Sequence, residues 1–181
     1  MVGEIRDTET TDLAIQASLT GHLVFSTLHT NDSAGSLPRL LDMRAEPYLI
    51  ASTVTCVIGQ RGVRKICPTC RTSKIPQKEI VEKMKSVLGG LFDFEKNKNL
   101  KLFEGRGCKE CNNTGYLGRI GIFEVLVVSE KIAKMIIVRS RAQDIARQSV
   151  SEGMITMRQD GFLKVLEGIT TVEEVLRVAE E

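Results

Sequence analysis

Two C-x-x-C pairs constrain the fold of this chain more than any other feature of its sequence. Cys67-Pro-Thr-Cys70 and Cys108-Lys-Glu-Cys111 are separated by 37 residues. Two residues between cysteines let both thiolates bind one tetrahedral ion, and two such pairs supply four ligands. The spacing predicts a structural zinc ion that clips a sparsely cored arm, with reduced free cysteines or a disulfide as the alternatives. Cys56, in an apolar run, is predicted to be a small buried hydrophobe.

A strand–helix–strand pattern occupies the first 29 residues. A short apolar stub ends at Glu4, helical spacing runs from Thr8 to Thr20, and the run HLVFSTL predicts a strand that ends at His29. Because ligands bind at the carboxyl ends of parallel strands, we predict that Glu4 and His29 face one crevice, an acid beside an imidazole. The alternative is that Glu4 is a solvated loop residue and that the histidines are satisfied in the packing.

The rest of the chain reads as short helices around one long strand. Asn31 or Asp32 can cap a helix that Pro38 should kink or shorten, and Pro47 suits a second helix start. A helix is predicted between Pro76 and a Gly-Gly stop, followed by a polar loop at 93–99. NNTGYLGRIGIFEVLVV predicts a strand, and four helix-length segments complete the chain.

Composition and charge narrow the class of protein. The chain has 181 residues, 42% of them hydrophobic, and a net charge of +2, which suits one globular domain or two small ones. We expect a soluble chain, since no window approaches the roughly 18 apolar residues of a membrane span and no signal peptide opens the sequence. Residues 61–119 carry 14 of the 25 basic residues but only 6 of the 23 acidic ones. This basic arm is either a solvated surface or a face for anionic lipid headgroups or an acidic protein.

Two separate boxes in this order and spacing resemble a known family. VGEIRDTET and LTGHLVFSTLHTND are similar to the Walker B and histidine boxes of the secretion ATPases, the P-loop motors of type II secretion and type IV pilus assembly. The similarity continues through LLDMRAEPYLIASTVTCVIGQRGVRKICPTC, GRIGIFEVL and MRQDGFLKVLEGITTVEEVLRV. It implies an α/β fold with a truncated RecA-like P-loop ATPase core, a zinc-binding arm and a C-terminal helical subdomain.

The resemblance also implies roles for individual residues. Glu4 would orient or deprotonate the attacking water, and His29 would approach the γ-phosphate. His22 and Arg6 would support nucleotide binding, although Arg6 could instead pair with Asp7. Gly3 stands where many P-loop enzymes place an aspartate for Mg²⁺.

No G-x-x-x-x-G-K-[ST] sequence occurs in the chain, so the resemblance implies the C-terminal part of a longer motor. We expect this part alone to be inactive, and ATP and Mg²⁺ to be cofactors of the full-length protein. Three parts are predicted: a partial ATPase core at 1–66, the tetracysteine arm at 67–118, and a final strand with the helical subdomain at 119–181.

By the same resemblance, the full-length protein would be a cytoplasmic homo-hexamer, peripheral at the inner face of the bacterial inner membrane. Its partner would be the membrane platform protein of the secretion or pilus machine. The tetracysteine arm favours extrusion over retraction. A non-enzymatic zinc-stabilised binding scaffold is the main alternative. A nucleic-acid partner is not expected, because few aromatic residues are available to stack bases.

Overall fold

A computed structural model of the chain describes residues 1–95 and 100–179. The elements of this part are, in order, α1 (Thr8–Leu19), α2 (Ser36–Asp42), α3 (Pro47–Thr53), β1 (Cys56–Ile66), β2 (Arg71–Lys74), α4 (Lys78–Leu88), a 3₁₀ turn (Gly89–Leu91), β3 (Leu102–Gly105), β4 (Tyr116–Val127), α5 (Glu130–Ile137), α6 (Ala142–Ser151), α7 (Met157–Leu166) and α8 (Val172–Ala179). Part of the predicted loop at 93–99 and the end of the last predicted helix lie outside the described residues. None of the described helices is long and apolar enough to cross a bilayer.

The chain divides into two compact units. The first comprises Met1–Gly59 with Glu124–Ile155, and the second comprises Gln60–Phe123 with Thr156–Glu181. Strands β1 and β4 pair with each other, as do β2 and β3. The motifs predicted three consecutive parts, whereas each compact unit combines two separate stretches of the chain. The three-part organisation stays a prediction.

Short helices around a buried aliphatic core build the first unit. Asp7 caps α1 by accepting a hydrogen bond from the Thr10 N–H at 2.8 Å, and Gly21 (φ +91°) follows the helix end. Pro47 occupies the first turn of α3, as predicted. The buried core residues are Ile5, Ala14, Ile15, Ala34, Leu37, Leu40, Met43, Ala45, Ile50, Leu126, Ile132, Ile136 and Ile145.

The four predicted C-terminal helices all form. Ser129 caps α5, and Thr156 with Gln159 makes a capping box at the start of α7. Helices α5 and α6 contribute to the core of the first unit, whereas α7 and α8 pack with α4 in the second. The core between α4, α7 and α8 also includes Leu102 of β3. Its buried residues are Met84, Leu88, Leu102, Phe162, Val165, Val172 and Val175.

The structure corrects the two strands predicted in the first 29 residues. Residues 2–5 and 22–28 form no strand, and the backbone bends at Gly3. Backbone hydrogen bonds join them at two points, from Val2 N–H to the Phe25 carbonyl (2.8 Å) and from Ile5 N–H to the Thr27 carbonyl (3.0 Å). Between these points the Gly3 carbonyl accepts a bond from the Thr27 hydroxyl, at 2.8 Å. Because a side chain provides this link, the segments lie side by side without a continuous ladder.

Two further expectations were wrong. Helix α2 begins at Ser36, not directly after Asn31 or Asp32, so Pro38 falls in its first turn, where a missing N–H costs no helical hydrogen bond. Cys56 is exposed rather than buried, because it opens β1 on the outward-facing side of the alternating strand.

Candidate active site and metal centre

Glu4 and His29 meet, as the pattern of the first 29 residues predicted. The Oε1 atom of Glu4 lies 2.5 Å from Nε2 of His29 and 2.7 Å from Nε of Arg6. The links between residues 2–5 and 25–27 bring the two side chains to one place. His29 remains 82% exposed, so its ring is accessible to a ligand.

The charge around Glu4 keeps it ionised. The Arg6 guanidinium, with a smaller contribution from His29, holds the pKa of Glu4 below its usual value, although partial burial acts in the opposite direction. Both contacts are close, but neither is a well-aligned hydrogen bond, since Oε1 is buried without a well-directed donor. The site therefore presents a carboxylate, not a carboxylic acid, at neutral pH.

His22 and Asp7 lie apart from this pair. The Nδ1 atom of His22 contacts the Thr20 hydroxyl at 3.1 Å and the Ala17 carbonyl at 3.3 Å, at the C-terminal end of α1. Asp7 caps the same helix at its other end, so the expected alternative of an Arg6–Asp7 pair is wrong. The structure brings Arg6 to Glu4 but does not bring His22 to them.

Two bonded residues of the first unit were not singled out from the sequence. Oε1 of Glu124 accepts hydrogen bonds from both the N–H and the hydroxyl of Ser33, each at 2.7 Å. Ser33 follows the histidine box, and Glu124 lies 91 residues later, on β4. One signal was available: Glu124 is a lone charge within the apolar run GIFEVLVV.

The predicted tetracysteine cluster forms in the second unit. Cys67 directly follows β1, and Cys70 directly precedes β2. Strands β2 and β3 pair antiparallel, with Arg71 opposite Gly105, which brings the second cysteine pair beside the first. The backbones of Gly105 and Gly115 approach closely behind the cluster: a Cβ atom on Gly105 would lie 2.0 Å from the Gly115 carbonyl oxygen.

The sulfur positions fit a tetrahedral metal ion. All four Sγ atoms lie within 4.8 Å of one another. The Sγ–Sγ distances are 3.8 Å for Cys67 to Cys108, 3.9 Å for Cys70 to Cys111 and 3.7 Å for Cys108 to Cys111. A tetrahedral ion with Zn–S bonds of about 2.3 Å requires about 3.8 Å between sulfurs.

Backbone N–H donors reach two of the four sulfurs. The N–H groups of Gly107 and Cys108 point at the Sγ atoms of Cys70 and Cys111, both at 3.2 Å, and Gly115 N–H adds a bond to Cys111 at 3.3 Å. Burial raises the pKa of Cys70 to about 11. Burial also acts to raise that of Cys111, but its two N–H donors outweigh burial and lower the pKa to about 6. Such donors stabilise the anionic sulfur that metal binding requires.

Curated proteins of two kinds are similar to this chain. The type IV pilus assembly ATPase PilB of Thermus thermophilus is 44% identical over 176 residues, which are 97% of this chain and 19% of that protein. The type II secretion system ATPase E of Vibrio cholerae is 46% identical over 182 residues, covering 100% of this chain and 34% of that protein. The chain thus spans between about a fifth and a third of the length of these relatives.

Solved structures share the fold. The Legionella pneumophila ATPase DotB matches with a TM-score of 0.60 at 21% identity, over 98% of this chain and 37% of that one. The pilus retraction motor PilT with bound ADP matches with a TM-score of 0.61 at 22% identity, over 99% of this chain and 40% of that one. These similarities confirm the expected fold class, a partial RecA-like α/β core.

The family described as Type II/IV secretion system protein matches residues 1–177. The match includes both boxes, the cysteine cluster, the first seven described helices and most of α8, so it does not rest on one motif. This chain therefore belongs to the type II/IV secretion system protein family.

Proposed function

We propose that the full-length protein carrying this chain is a hexameric ATPase that powers type II protein secretion or type IV pilus assembly. The observation that carries the proposal is the contact of Glu4 with the exposed ring of His29. The names of the PilB and ATPase E relatives support the reaction and the machine. The tetracysteine arm supports extrusion rather than retraction.

In this proposal Glu4 and His29 are the catalytic residues, and His22 and Arg6 contact the nucleotide. A carboxylate whose pKa is lowered accepts a proton poorly, so we assign Glu4 the orientation of the attacking water rather than its deprotonation. Arg6 is 72% exposed while paired with Glu4, and so remains available to a phosphate oxygen. ATP with Mg²⁺ is the cofactor; since no G-x-x-x-x-G-K-[ST] sequence occurs in this chain, we place the phosphate-binding loop elsewhere in the full-length protein.

We assign zinc to the four cysteines, Cys67, Cys70, Cys108 and Cys111. Four protein thiolates leave no open position for a substrate or water, so the ion would be structural. It would hold together the two cysteine pairs of an arm that has little apolar core of its own. Replacing Cys67 and Cys108 together by serine should lose the metal and unfold the arm, whereas the exposed Cys56→Ser should keep one zinc per chain.

The remaining assignments concern assembly and location. We place the protein in the cytoplasm, peripheral at the inner face of the inner membrane, against the platform protein of its machine. The basic arm is a suitable face for that surface. The motif boundaries at 66 and 118 would separate the ATPase core, the zinc arm and the C-terminal helical part.

Phosphate release by the full-length protein tests the enzymatic proposal. Glu4→Gln and His29→Ala should each reduce turnover about 100-fold, since both act on the reacting groups. Glu9→Gln, an exposed acid in the first turn of α1, is the control and should leave turnover unchanged. The 181-residue chain alone should show background hydrolysis.

Three outcomes would contradict this proposal. Turnover by the isolated chain that Glu4→Gln abolishes would refute the need for a further phosphate-binding part. Full-length turnover that is indifferent to Glu4 and His29 would favour the binding scaffold. Steeply salt-dependent affinity for DNA or RNA would indicate a nucleic-acid-binding protein.

A further inference from the structure

Glu124 is a buried acidic residue on β4. It belongs to neither the cysteine cluster nor the Glu4–His29 pair. It is only 7% exposed, within the apolar strand β4. Burying a carboxylate is costly unless strong donors satisfy it. One of its oxygens receives two donors from Ser33, which is itself 1% exposed. A contact of this kind fixes the backbone of Ser33 as well as its side chain.

Strand β1, which pairs with β4, leaves room for the Glu124 side chain at Gly59. A Cβ atom on Gly59 would lie 2.9 Å from Cγ and 3.1 Å from Oε1 of Glu124. Glycine at position 59 therefore lets the carboxylate reach Ser33, and any larger residue would displace it.

Ser33 belongs to a tightly bonded loop that begins at Thr30 and ends at Ser36. The Thr30 hydroxyl lies 2.8 Å from the Ser36 hydroxyl and donates to the Asp32 carbonyl at 2.9 Å. The Asp32 carboxylate accepts the Gly35 N–H at 2.6 Å. Because these bonds join both ends of the loop, fixing Ser33 also fixes Thr30, the neighbour of His29.

His29 has little else to hold it. Its side chain is 82% exposed, and its described contact is the one with Glu4. Before it in the chain, Thr27 is bonded to Gly3 and Ile5. Its ring therefore takes its place from backbone fixed on both sides: residues 25–27 on one, and the 30–36 loop on the other.

We propose that Glu124 is a positioning residue for His29. By holding Ser33, it keeps the 30–36 loop in the geometry that brings the imidazole of His29 to Glu4. The catalytic importance of this geometry rests on the proposed function. The route we propose from Glu124 to His29 runs through its two hydrogen bonds with Ser33 and through the 30–36 loop.

The position of the His29 ring can be measured without catalysis. The chain has only two histidines, so histidine-selective labelling gives two sets of imidazole NMR signals, which His22→Gln assigns. Glu124→Ala should shift the His29 signals in the direction that Glu4→Ala shifts them, and should leave those of His22 in place. Gly59→Ala, which displaces Glu124 without changing it, should produce the same shift. Glu124→Gln keeps an acceptor for Ser33 and should stay close to wild type.

Turnover of the full-length protein gives the second measurement. Glu124→Ala should lower kcat about 10- to 100-fold and change KM for ATP little, because it misplaces a reacting group rather than the bound nucleotide. In a His29→Ala background, Glu124→Ala should lower kcat by a further factor of less than about two. The imidazole that Glu124 positions is already missing from that variant.

Separate results overturn the two proposals. An unmoved His29 signal in folded Glu124→Ala and Gly59→Ala proteins refutes positioning, as does an undiminished kcat loss in the His29→Ala background. If Glu124→Ala does not fold, Gly59→Ala and the milder Ser33→Ala carry the NMR test. If His29→Ala itself leaves kcat unchanged, the proposed function fails, while the His29 signals still decide the positioning role.

Discussion

Glu174 offers the sharpest quantitative test of the second unit. Its side chain is 2% exposed and receives four hydrogen bonds. Arg64 donates from its backbone N–H (2.9 Å) and from Nη2 (2.6 Å), and Arg177 donates from Nε (3.0 Å) and Nη2 (2.9 Å). Arg64 also stacks over Tyr116, at 4.2 Å from the ring centre. The carboxylate thus ties β1 to α8.

The pKa of Glu174 sets the size of the effect. Burial raises it, but the hydrogen bonds from Arg177 and Arg64 outweigh burial and lower the pKa from 4.5 to about 2. A shift of that size corresponds to about 3 kcal/mol of unfolding free energy. Because the folded pKa is the lower one, this stability is fully present above pH 4.5 and is lost as the pH falls towards 2. Glu174→Gln should therefore cost about 2 to 3 kcal/mol at pH 7, since both arginines are partly exposed and can be rehydrated.

Tyrosine fluorescence can report this unit alone. The sequence has no tryptophan and two tyrosines, so Tyr48→Phe leaves Tyr116, beside Arg64, as the emitter. Urea unfolding of wild type and Glu174→Gln in this background, from pH 7 down to 3.5, gives the difference in unfolding free energy. Both proteins keep the cysteine cluster, so acid effects on bound metal cancel in the difference. Glu173→Gln, the exposed neighbour, is the matched control.

The difference between wild type and Glu174→Gln should shrink steadily below pH 4.5. A difference that is constant from pH 7 to 3.5 would refute the assigned pKa. An equal loss in Glu173→Gln would show that net charge, not the buried network, causes the effect.

Four further predictions concern backbone geometry, helix capping and the metal centre. Arg44 is exposed with φ +65° after α2, where a side chain is strained, so Arg44→Gly should stabilise the first unit by about 1 kcal/mol in urea unfolding. A Cβ atom at Gly153 would meet no other atom, but its φ of +101° disfavours any side chain, so Gly153→Ala should destabilise the unit by a similar amount through backbone strain alone. Equal signs for Arg44→Gly and Gly153→Ala would contradict the strain argument. Asp7→Ala should cost about 1 kcal/mol through loss of the α1 cap, and an unchanged urea midpoint would refute that role. Gly105→Ala cannot fit against Gly115 and should lower bound zinc measured by atomic absorption, with retention of one zinc per chain as the contrary result.

Local patterns predicted much of the fold. They also predicted that Glu4 and His29 lie together, but they did not single out Glu124 or Ser33. Helix ends at Gly21, Pro47 and Ser129 follow from backbone preferences of neighbouring residues, and each was found. The strands near Glu4 and His29 were wrong, because a strand requires a partner ladder that local sequence does not specify. The side chains of Glu4 and His29 meet nonetheless, through a few hydrogen bonds between residues 2–5 and 25–27.

The sequence by itself determined the cysteine cluster, because ligand type and spacing are chemical constraints that hold in any fold bringing the two pairs together. It also determined most helix boundaries. Only the tertiary structure decided that Glu124 holds Ser33, 91 residues away, and that Glu174 holds Arg64, 110 residues away. A buried carboxylate needs hydrogen-bond donors. Which donors reach it depends on how segments distant in the sequence pack together, and residue spacing does not specify that packing.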